Sequence, residues 1–467
     1  MVIASPKTRI EDSGRLTCES QAISIPLQSE LPLTIITPYM RSKKAVFEKE
    51  LENILNYWMT YAVDKDRNGF YGAVDLNNEP VLTTNKSCVL IARILWTFSA
   101  AARMYANEDY AAIAVKAYRV LTSQFMDAQH GGFFMEVAPD GQVANSVKHT
   151  YVQAFAIYAL CKYFQLRPED AVLQLIQQSF ALIEEKIKDR EGPGYYEAFT
   201  HDWQPLAENR MADNNEPKTM NAHLHVLEAY SALYTVWPDL LVEQRLRELL
   251  MLFLDQIIRA SGHLGIFFDS DFNAAERSQG ICSFGHDIEA SWLLWEAAES
   301  LGDEALLSRI RQASIKMLDA VERVGFDKDG GLFLESYRYG SHVRTNKHWW
   351  LQAETLVGFM NGFELTGDPR YWENAMLSWN FIDRFVIDHE RGEWFTKVNR
   401  LGEPFLIEPP DDPSPYYRND WKVDPWKTPY HNGRACMEMI QRIDKITGLS
   451  LENPNEINDF SEKDGRS

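Results

Sequence analysis

The sequence predicts an all-α protein, an (α/α)6 barrel in which six outer helices enclose six inner ones. Three observations predict it: a glycine-and-aromatic turn recurs at intervals of about 60 to 70 residues, a strongly apolar helix follows each turn, and a more amphipathic helix follows that one. Units of two helices are too short to be separate domains, but they have the size of supersecondary repeats that bury one another. An open solenoid is the alternative, and we favour the closed ring because neither end unit carries an obvious polar cap.

Each repeat contains a turn in which glycine precedes aromatic residues, often with an aspartate just before it. Aspartate and glycine close a tight turn, and the aromatic residues then form a short extended piece. We therefore expect short β-hairpin-like turns at one end of the barrel. The six turns are Asn68–Gly72, Gly131–Phe134, Gly192–Tyr196, Gly265–Phe268, Gly330–Phe333 and Gly392–Phe395.

The helix after each turn is apolar nearly all round, which is typical of a helix buried on all sides. These inner helices are predicted to begin near Ser87, Thr150, Thr219, Gly285, Trp349 and Tyr430, and a lysine precedes five of them (Lys86, Lys148, Lys218, Lys347 and Lys427). The outer helices carry one polar face, as in Asp109–Phe125, Pro168–Lys186, Leu240–Ala260, Asp303–Val324 and Pro369–Phe385. Because all inner helices run in one direction, their N-termini should meet at one end.

The chain divides into three parts. Residues 1–43 are polar and contain proline without a clear period, which predicts an N-terminal extension, whereas helical spacing begins at Lys44. Residues 44–451 form the predicted (α/α)6 barrel catalytic domain. Residues 452–467 are rich in Asn, Asp and Ser and are predicted to be a polar C-terminal tail.

Composition excludes several classes of protein. The 467 residues carry a formal net charge of −20, which repels phosphate backbones and anionic lipid, so we expect no nucleic-acid and no membrane partner. No uninterrupted apolar run reaches the roughly 18 residues of a membrane span. Five scattered cysteines without a C-x-x-C pair, and no secretory signal pattern, predict a cytoplasmic protein. We expect a monomer or a weakly associating homodimer.

Polar and aromatic residues stand at the start of every predicted inner helix and should converge on one cavity. They are Arg93, Tyr151, Asn221 with His225, His286 with Glu289, Trp350, and Trp426 with His431. A single histidine at a helix start is usually a cap or a packed ring, but six such clusters at equivalent positions indicate a binding site. A buried Arg93 is explained either by a structural ion pair or by an anionic partner in the substrate.

The histidines suggest proton transfer. The positive end of a helix dipole disfavours the imidazolium, so such a histidine stays neutral and can act as a base. Two bases on different helices can address two faces of one carbon, and Glu289 could fix the tautomer of His286, three residues before it. The planes of Trp350, Trp426 and Tyr151 would stack on sugar rings. We expect no metal, because His223 and His225 point apart on one helix, and no nucleotide cofactor, because no phosphate-binding glycine motif occurs.

At these residues the chain resembles the cellobiose 2-epimerases, within the N-acylglucosamine 2-epimerase superfamily. The resemblance covers about Lys44 to Arg442, excluding the N-terminal extension and much of the Pro-rich insert Glu408–Val423. It rests on the set of segments Ala92–Ala100, Lys218–Asn221 with His223–His225, Gly285–Trp292, Trp349–Trp350 with Gln352–Glu354, and Trp426–Asn432.

The resemblance implies an (α/α)6 barrel and reversible epimerisation at C2 of the reducing-end sugar of β-1,4-linked disaccharides. Cellobiose would become glucosyl-mannose and lactose would become epilactose, without a cofactor. It further implies that His286 and His431 are the paired acid/base catalysts and that His225 assists them. The residues that bind or orient the sugar would be Arg93, Tyr151, Asn221, Glu289, Glu335, Trp350 and Trp426.

Three rival enzymes remain open at this point. An aldose–ketose isomerase of the same superfamily would move the carbonyl to C2. An N-acetylglucosamine 2-epimerase would need room for the N-acyl group. An inverting glycoside hydrolase on the same barrel would need two carboxylates about 6.5–9.5 Å apart. Glu197, Asp213, Glu289 and Glu335 are available for that role, but the histidines would then have no duty. A non-catalytic sugar-binding protein would not need two bases.

Overall fold

The structure, a computed structural model, describes residues 2–10, 16–24, 33–206, 215–338, 340–407 and 418–448. Within these residues lie six inner helices, which are α2 (Cys88–Tyr105), α4 (Thr150–Leu166), α6 (Met220–Val236), α8 (Phe284–Leu301), α10 (Trp349–Thr366) and α12 (Tyr430–Thr447). The outer helices are α1 (Leu33–Tyr57), α3 (Glu108–Val120), α5 (Asp170–Lys186), α7 (Leu240–Leu252), α9 (Glu304–Val324) and α11 (Pro369–Phe381). Five-residue π-helical segments, Trp58–Ala62, Leu121–Phe125, Phe253–Ile257 and Ile382–Val386, extend four outer helices.

The inner helices form a closed ring. Contacts run in order from α2 through α4, α6, α8 and α10 to α12, and α12 returns to α2. Each outer helix packs on an inner one, and α1 packs on α12, so the first and last helices of the chain meet. This contact explains why neither end unit carries a polar cap. The (α/α)6 barrel predicted from the repeats is confirmed, and the open solenoid is wrong.

Short antiparallel strands connect the helices. They are β1 (Val2–Ile10), β2 (Leu16–Ser24), β3 (Val63–Asp64), β4 (Gly69–Phe70), β5 (Val74–Asp75), β6 (Lys86–Ser87), β7 (Glu136–Val137), β8 (Val143–Asn145), β9 (Lys148–His149), β10 (Ala198–Phe199), β11 (Lys218–Thr219), β12 (Phe267–Phe268), β13 (Cys282–Ser283), β14 (Glu335–Tyr337), β15 (His342–Arg344), β16 (Lys347–His348), β17 (Lys397–Val398) and β18 (Trp421–Val423). The strands before α2, α4, α6, α8 and α10 each pair with a strand from a later turn, as β13 does with β14, whereas β18 before α12 pairs with β5 of the first repeat. The predicted hairpin-like turns therefore also set where each inner helix begins.

Local chemistry explains the helix ends. The hydroxyls of Ser87 and Thr219 cap α2 and α6 by accepting from backbone N–H groups three residues on, at 2.9 and 3.1 Å. The helices α8, α10 and α12 end at glycines in the left-handed region, Gly302, Gly367 and Gly448, which a side chain would disfavour.

The ends of the chain differ in part from the expectation. The helix α1 begins at Leu33, before Lys44, because it continues through Pro38, a residue that normally interrupts a helical pattern. Ahead of it, β1 and β2 pair as an antiparallel hairpin. The predicted tail 452–467 and residues 408–417 of the predicted insert lie outside the described residues. By length and composition one helix of the described part, Cys88–Tyr105, could cross a membrane, but 78% of it is buried within the barrel.

The lysines before the inner helices make a recurring ion pair. Lys148 contacts Asp127 at 2.8 Å and Lys218 contacts Asp189 at 2.6 Å, and in both pairs the ammonium is fully buried. The Asp189 carboxylate also accepts from the backbone N–H groups of Glu191 and Gly192, at 2.9 and 3.0 Å. The pair therefore joins the glycine turn to the start of the next inner helix. In the first repeat Lys86 instead donates to Gln124 at 3.1 Å.

Replacing Lys218 with Met should destabilise the fold by about 3 kcal/mol, because it leaves the Asp189 carboxylate buried without its cation. The matched control is Lys445→Met, which removes an ammonium with 71% side-chain exposure and should cost about 1 kcal/mol or less. Urea unfolding of the two variants measures the difference. Equal losses would show that the buried pair does not hold the turn.

The stability that the Lys218–Asp189 pair contributes should decrease as the pH falls. Burial opposes ionisation of Asp189, but the Lys218 ammonium and the two backbone N–H groups outweigh it and lower the pKa of Asp189 to about 2. A lowered carboxyl pKa contributes stability above the unfolded value of about 3.9 and loses it as the pH falls towards 2. This acid-side loss should be smaller in Lys218→Met than in the parent chain, as measured by unfolding at pH 2 to 5.

Candidate functional site

The N-terminal ends of the inner helices bring the predicted site residues together. Arg93 of α2 donates from Nη2 to the Tyr151 hydroxyl of α4 at 2.7 Å. The Tyr151 ring lies 4.7 Å from the His225 ring of α6 and 5.7 Å from Trp426, measured between centroids. Helices far apart in sequence thus line one cavity at one end of the barrel.

Two histidines contact the same tryptophan. The Trp350 ring lies 5.0 Å from His286 and 5.7 Å from His431, between centroids. Gly285 permits this packing, since a Cβ at that position would stand 2.6 Å from the Trp350 ring. Residues from α8, α10 and α12 therefore form one wall of the cavity.

Each cavity histidine is held through its Nδ1 atom. His431 Nδ1 lies 2.7 Å from Glu354 Oε1, and His225 Nδ1 lies 2.9 Å from Glu228 Oε2. His286 Nδ1 lies 2.7 Å from the hydroxyl of Ser283. These contacts leave Nε2 as the nitrogen available to a bound molecule. The sequence suggested Glu289 as the partner of the His286 ring. Instead, Nδ1 of His286 contacts Ser283, which lies three residues before it in the chain.

Burial keeps these histidines neutral. Desolvation, with a smaller contribution from nearby His225, lowers the pKa of His286 to about 3. Desolvation followed by the cations Arg93 and Arg434 holds the pKa of His431 well below its usual range. Desolvation likewise lowers the pKa of His225, against the opposing effect of Glu228. A neutral imidazole at pH 7 can accept a proton, as general-base chemistry requires.

Beneath the histidines lies a buried cluster formed by Arg434 and the carboxyl groups of Glu228, Glu289 and Glu354. Arg434 contacts Glu354 at 2.7 Å and Glu289 at 3.1 Å, and it also pairs with Glu228. Burial raises the pKa of Glu289 well above its usual range, and the neighbouring charge of Glu354 adds to this effect. In contrast, Arg434 overcomes burial and lowers the pKa of Glu228 to about 2. Burial therefore favours the protonated form of the Glu289 carboxyl, whereas Arg434 favours the ionised form of Glu228.

Two buried polar atoms of the cavity have no hydrogen-bond partner within the described residues: Nε of Arg93 and Oδ1 of Asn221. Arg93 also donates from Nη1 to the Trp426 carbonyl at 3.1 Å, and its guanidinium lies 4.4 Å from the Phe155 ring centroid. A buried polar group without a partner is costly, so these atoms are candidates for contacts with a bound molecule.

Glu335 lies at the edge of the site on β14. Its register partner on β13 is Ser283, the residue that contacts His286. The Glu335 carboxylate accepts from the Tyr337 hydroxyl at 2.6 Å and from Arg344 Nη1 at 2.8 Å. These bonds fix the carboxylate on the strand that runs beside the start of α8.

One group in the described part of the chain has the spacing of metal ligands: Glu289, Glu354 and His431 offer ligand atoms within 4.8 Å of one another. However, Arg434 donates to both carboxyl groups, and the His431 ring shares Glu354. A metal ion at this position would have to displace the guanidinium of Arg434. These residues therefore fit an ion-pair cluster around Arg434 better than a metal site.

The structure brings together all predicted site residues at this end of the barrel, with Asn221 in the first turn of α6 and Glu335 on the neighbouring strand. The sequence analysis assigned no role to Glu354, Arg434 or Ser283. A signal was present for Glu354, which follows Trp350 by four residues and so shares its helix face. No such spacing links Arg434 to its partners, since they lie on α6, α8 and α10.

Comparisons with known proteins place the chain among sugar epimerases in sequence and in fold. Residues 69–418 match the family model of N-acylglucosamine 2-epimerase (GlcNAc 2-epimerase). The chain is 38% identical over 401 residues to a cellobiose 2-epimerase of Bacteroides fragilis, covering 85% of this chain and 98% of that protein. It is 34% identical over 397 residues to a cellobiose 2-epimerase of Ruminococcus albus, with 84% and 96% covered. The solved structure of cellobiose 2-epimerase from Bacillus thermoamylovorans superposes with a TM-score of 0.79 at 33% identity, covering 86% of this chain and all of that one.

Proposed function

The chain belongs to the N-acylglucosamine 2-epimerase family, and we propose that it epimerises C2 of the reducing-end sugar in β-1,4-linked disaccharides. Cellobiose would give glucosyl-mannose and lactose would give epilactose, each reversibly. The observation that carries the proposal is the pair His286 and His431, which contact one tryptophan and keep Nε2 available because Nδ1 is already engaged. His225 assists at the same centre.

The sugar ring must open first, because the C2 proton becomes acidic only beside a carbonyl. One histidine takes the proton of the O1 hydroxyl, and Glu289 gives a proton to the ring oxygen. The raised pKa of Glu289, caused mainly by burial, supports this role because it favours the protonated acid. After this step the histidine is an imidazolium, Glu289 is a carboxylate, and the sugar is an open-chain aldehyde.

The second histidine, still neutral, then removes the C2 proton and leaves an enediolate. Rotation about the C2–C3 bond presents the opposite face of C2 to the imidazolium, which returns a proton there. Ring closure reverses the first exchange: the O5 proton goes back to Glu289, and the proton on the second histidine goes to O1. No proton is consumed in a full cycle, and the reverse reaction exchanges the two histidine roles.

Arg93 stabilises the negative charge that develops on the enediolate oxygens. Its Nε has no hydrogen-bond partner in the described part of the chain, and its contact with Tyr151 fixes the guanidinium. A preorganised cation in a cavity from which water is excluded contributes far more than one in water. Asn221, Glu335, Trp350 and Trp426 bind and orient the two sugar rings.

The test is NMR of cellobiose incubated with the purified protein in D2O. We expect a mannose-type reducing end that carries deuterium at C2, because the proton is exchanged on a histidine during the reaction. Methyl β-cellobioside, which cannot open its reducing-end ring, is the matched control and should show no exchange. A ketose signal would indicate the isomerase instead, free glucose would indicate the hydrolase, and conversion of N-acetylglucosamine alone would indicate the third rival.

We also propose that residues 44–451 are the catalytic domain of a cytoplasmic enzyme that is a monomer or a weak homodimer. The absence of any disulfide among the four cysteines of the described barrel, Cys88, Cys161, Cys282 and Cys436, supports a reducing compartment. Size-exclusion chromatography with light scattering at micromolar concentration tests the oligomeric state.

A further inference from the structure

We propose that Ser283 is a positioning residue that holds the His286 ring in its reactive orientation through Nδ1 without placing a charge beside it. The proposal rests on the proposed function, because it concerns the two proton transfers at C2. It assigns a role to a side chain that the mechanism above does not use.

The first argument is how Ser283 uses its hydroxyl. Ser283 is the N-cap residue of α8, the position from which Ser87 and Thr219 cap their own helices through backbone N–H groups. The Ser283 hydroxyl makes no such capping bond, and it lies 2.7 Å from His286 Nδ1 instead. A side chain at a capping position thus contacts the reactive ring rather than the helix end.

The second argument is the contrast with the other two cavity histidines. His431 and His225 each face a carboxyl group, Glu354 and Glu228, whereas His286 faces a neutral hydroxyl. A carboxylate beside Nδ1 favours the imidazolium, and a hydroxyl does so much less. Ser283 therefore fixes the His286 ring without an ionisable group beside Nδ1, and it leaves Nε2 to exchange a proton with C2.

The charged groups around His286 do not replace a carboxylate beside its Nδ1 atom. From α6 and α10, His225 and Glu354 act on its pKa in opposite directions. On α8 itself, Asp287 is paired with His263 at 2.7 Å. Across the β13–β14 pair, the carboxylate of Glu335 is already held by Tyr337 and Arg344. On α12, His431 shares Trp350 with His286 and is itself paired with Glu354.

The test compares Ser283→Ala, Ser283→Thr and Ser283→Asp, with Ser336→Ala as the control. Ser336 is a buried serine on the paired strand β14 and lies opposite Cys282 rather than Ser283. We expect Ser283→Ala to lower kcat by roughly 10- to 100-fold with little change in KM, because the ring is no longer held in its reactive orientation. Ser283→Thr, which keeps the hydroxyl, should restore most of kcat, and the control should match the parent chain.

The pH–kcat profile of Ser283→Asp distinguishes the proposed role from a purely structural one. It places a carboxylate beside Nδ1, so the limb of the pH–kcat profile that His286 governs should shift to higher pH by about one unit. The titration of His286, followed by 15N NMR without substrate, should shift in the same direction. Parent-level kcat in Ser283→Ala, or an unshifted titration in Ser283→Asp, would overturn the proposal. If the parent chain failed to epimerise any disaccharide, the proposed function would fail, while the NMR titration would still decide the role of Ser283.

Discussion

Replacing His286 or His431 with alanine is expected to lower the rate of C2 epimerisation by roughly 10²- to 10⁴-fold, the usual contribution of a general acid or base. Both rings contact Trp350, and each is held by its Nδ1 atom with Nε2 available, so each variant loses one of the two proposed bases at C2. Initial rates on cellobiose, with NMR to distinguish the two epimers, measure the loss. Rates close to those of the parent chain would remove that histidine from the mechanism.

The two variants should also differ in a way that distinguishes two bases from one. Each variant retains one histidine of the pair, which can still remove a proton from C2 of sugar molecules whose ring has opened spontaneously in solution, and can return deuterium to the same face. We therefore expect one variant to exchange C2 of the glucose-configured sugar without inverting it, and the other to do so for the mannose-configured sugar. Exchange of both epimers by a single variant would show that one base serves both faces.

The control for both variants is His389→Ala. His389 is 61% exposed on its side chain and faces Asp383, which is 57% exposed. It should leave the epimerisation rate unchanged. Circular dichroism and the midpoint of thermal unfolding should match across all three variants, which separates lost chemistry from lost structure.

Replacing Arg434 with Met is expected to destabilise the fold by about 3–5 kcal/mol, the cost of removing one partner from a buried ion pair. Arg434 has 1% of its side chain exposed and pairs with Glu228, Glu289 and Glu354. Without it, carboxyl groups from three inner helices would face one another in the barrel with no compensating guanidinium. Urea unfolding gives the change in free energy, and the epimerisation rate should fall as well because Glu354 also holds His431.

Arg309→Met is the matched control for this prediction. It removes the same kind of side chain from a pair with Asp255 whose members are 47% and 51% exposed, so the loss should stay at or below about 1 kcal/mol. A loss in Arg434→Met no larger than in this control would contradict a structural role for the buried cluster. In that case the carboxyl groups would have to be neutral together, and Glu228 would not be ionised.

Most of the fold could be predicted from the sequence because its signals are local. The inner helices begin within a residue or so of the positions that the apolar runs and their polar first residues indicate, as at Thr150, Trp349 and Tyr430. The start of α1 was not predicted, because Pro38 breaks the local pattern and the helix continues through it. Closure of the ring was favoured on indirect grounds, and the contacts of α12 with α2 and with α1 establish it.

The candidate site, like the fold, could be predicted from the sequence only in part. The sequence by itself determined which residue types stand at the helix starts, because a repeat of fixed length places equivalent positions at the same end of the barrel. It could not determine their partners: Arg434 meets carboxyl groups that precede it by 80 to 206 residues, and only packing of the ring brings them within hydrogen-bond distance. The protonation states likewise depend on the tertiary structure. Burial keeps His286 neutral and favours the protonated form of Glu289, and burial is a property of the closed barrel rather than of any segment of the chain.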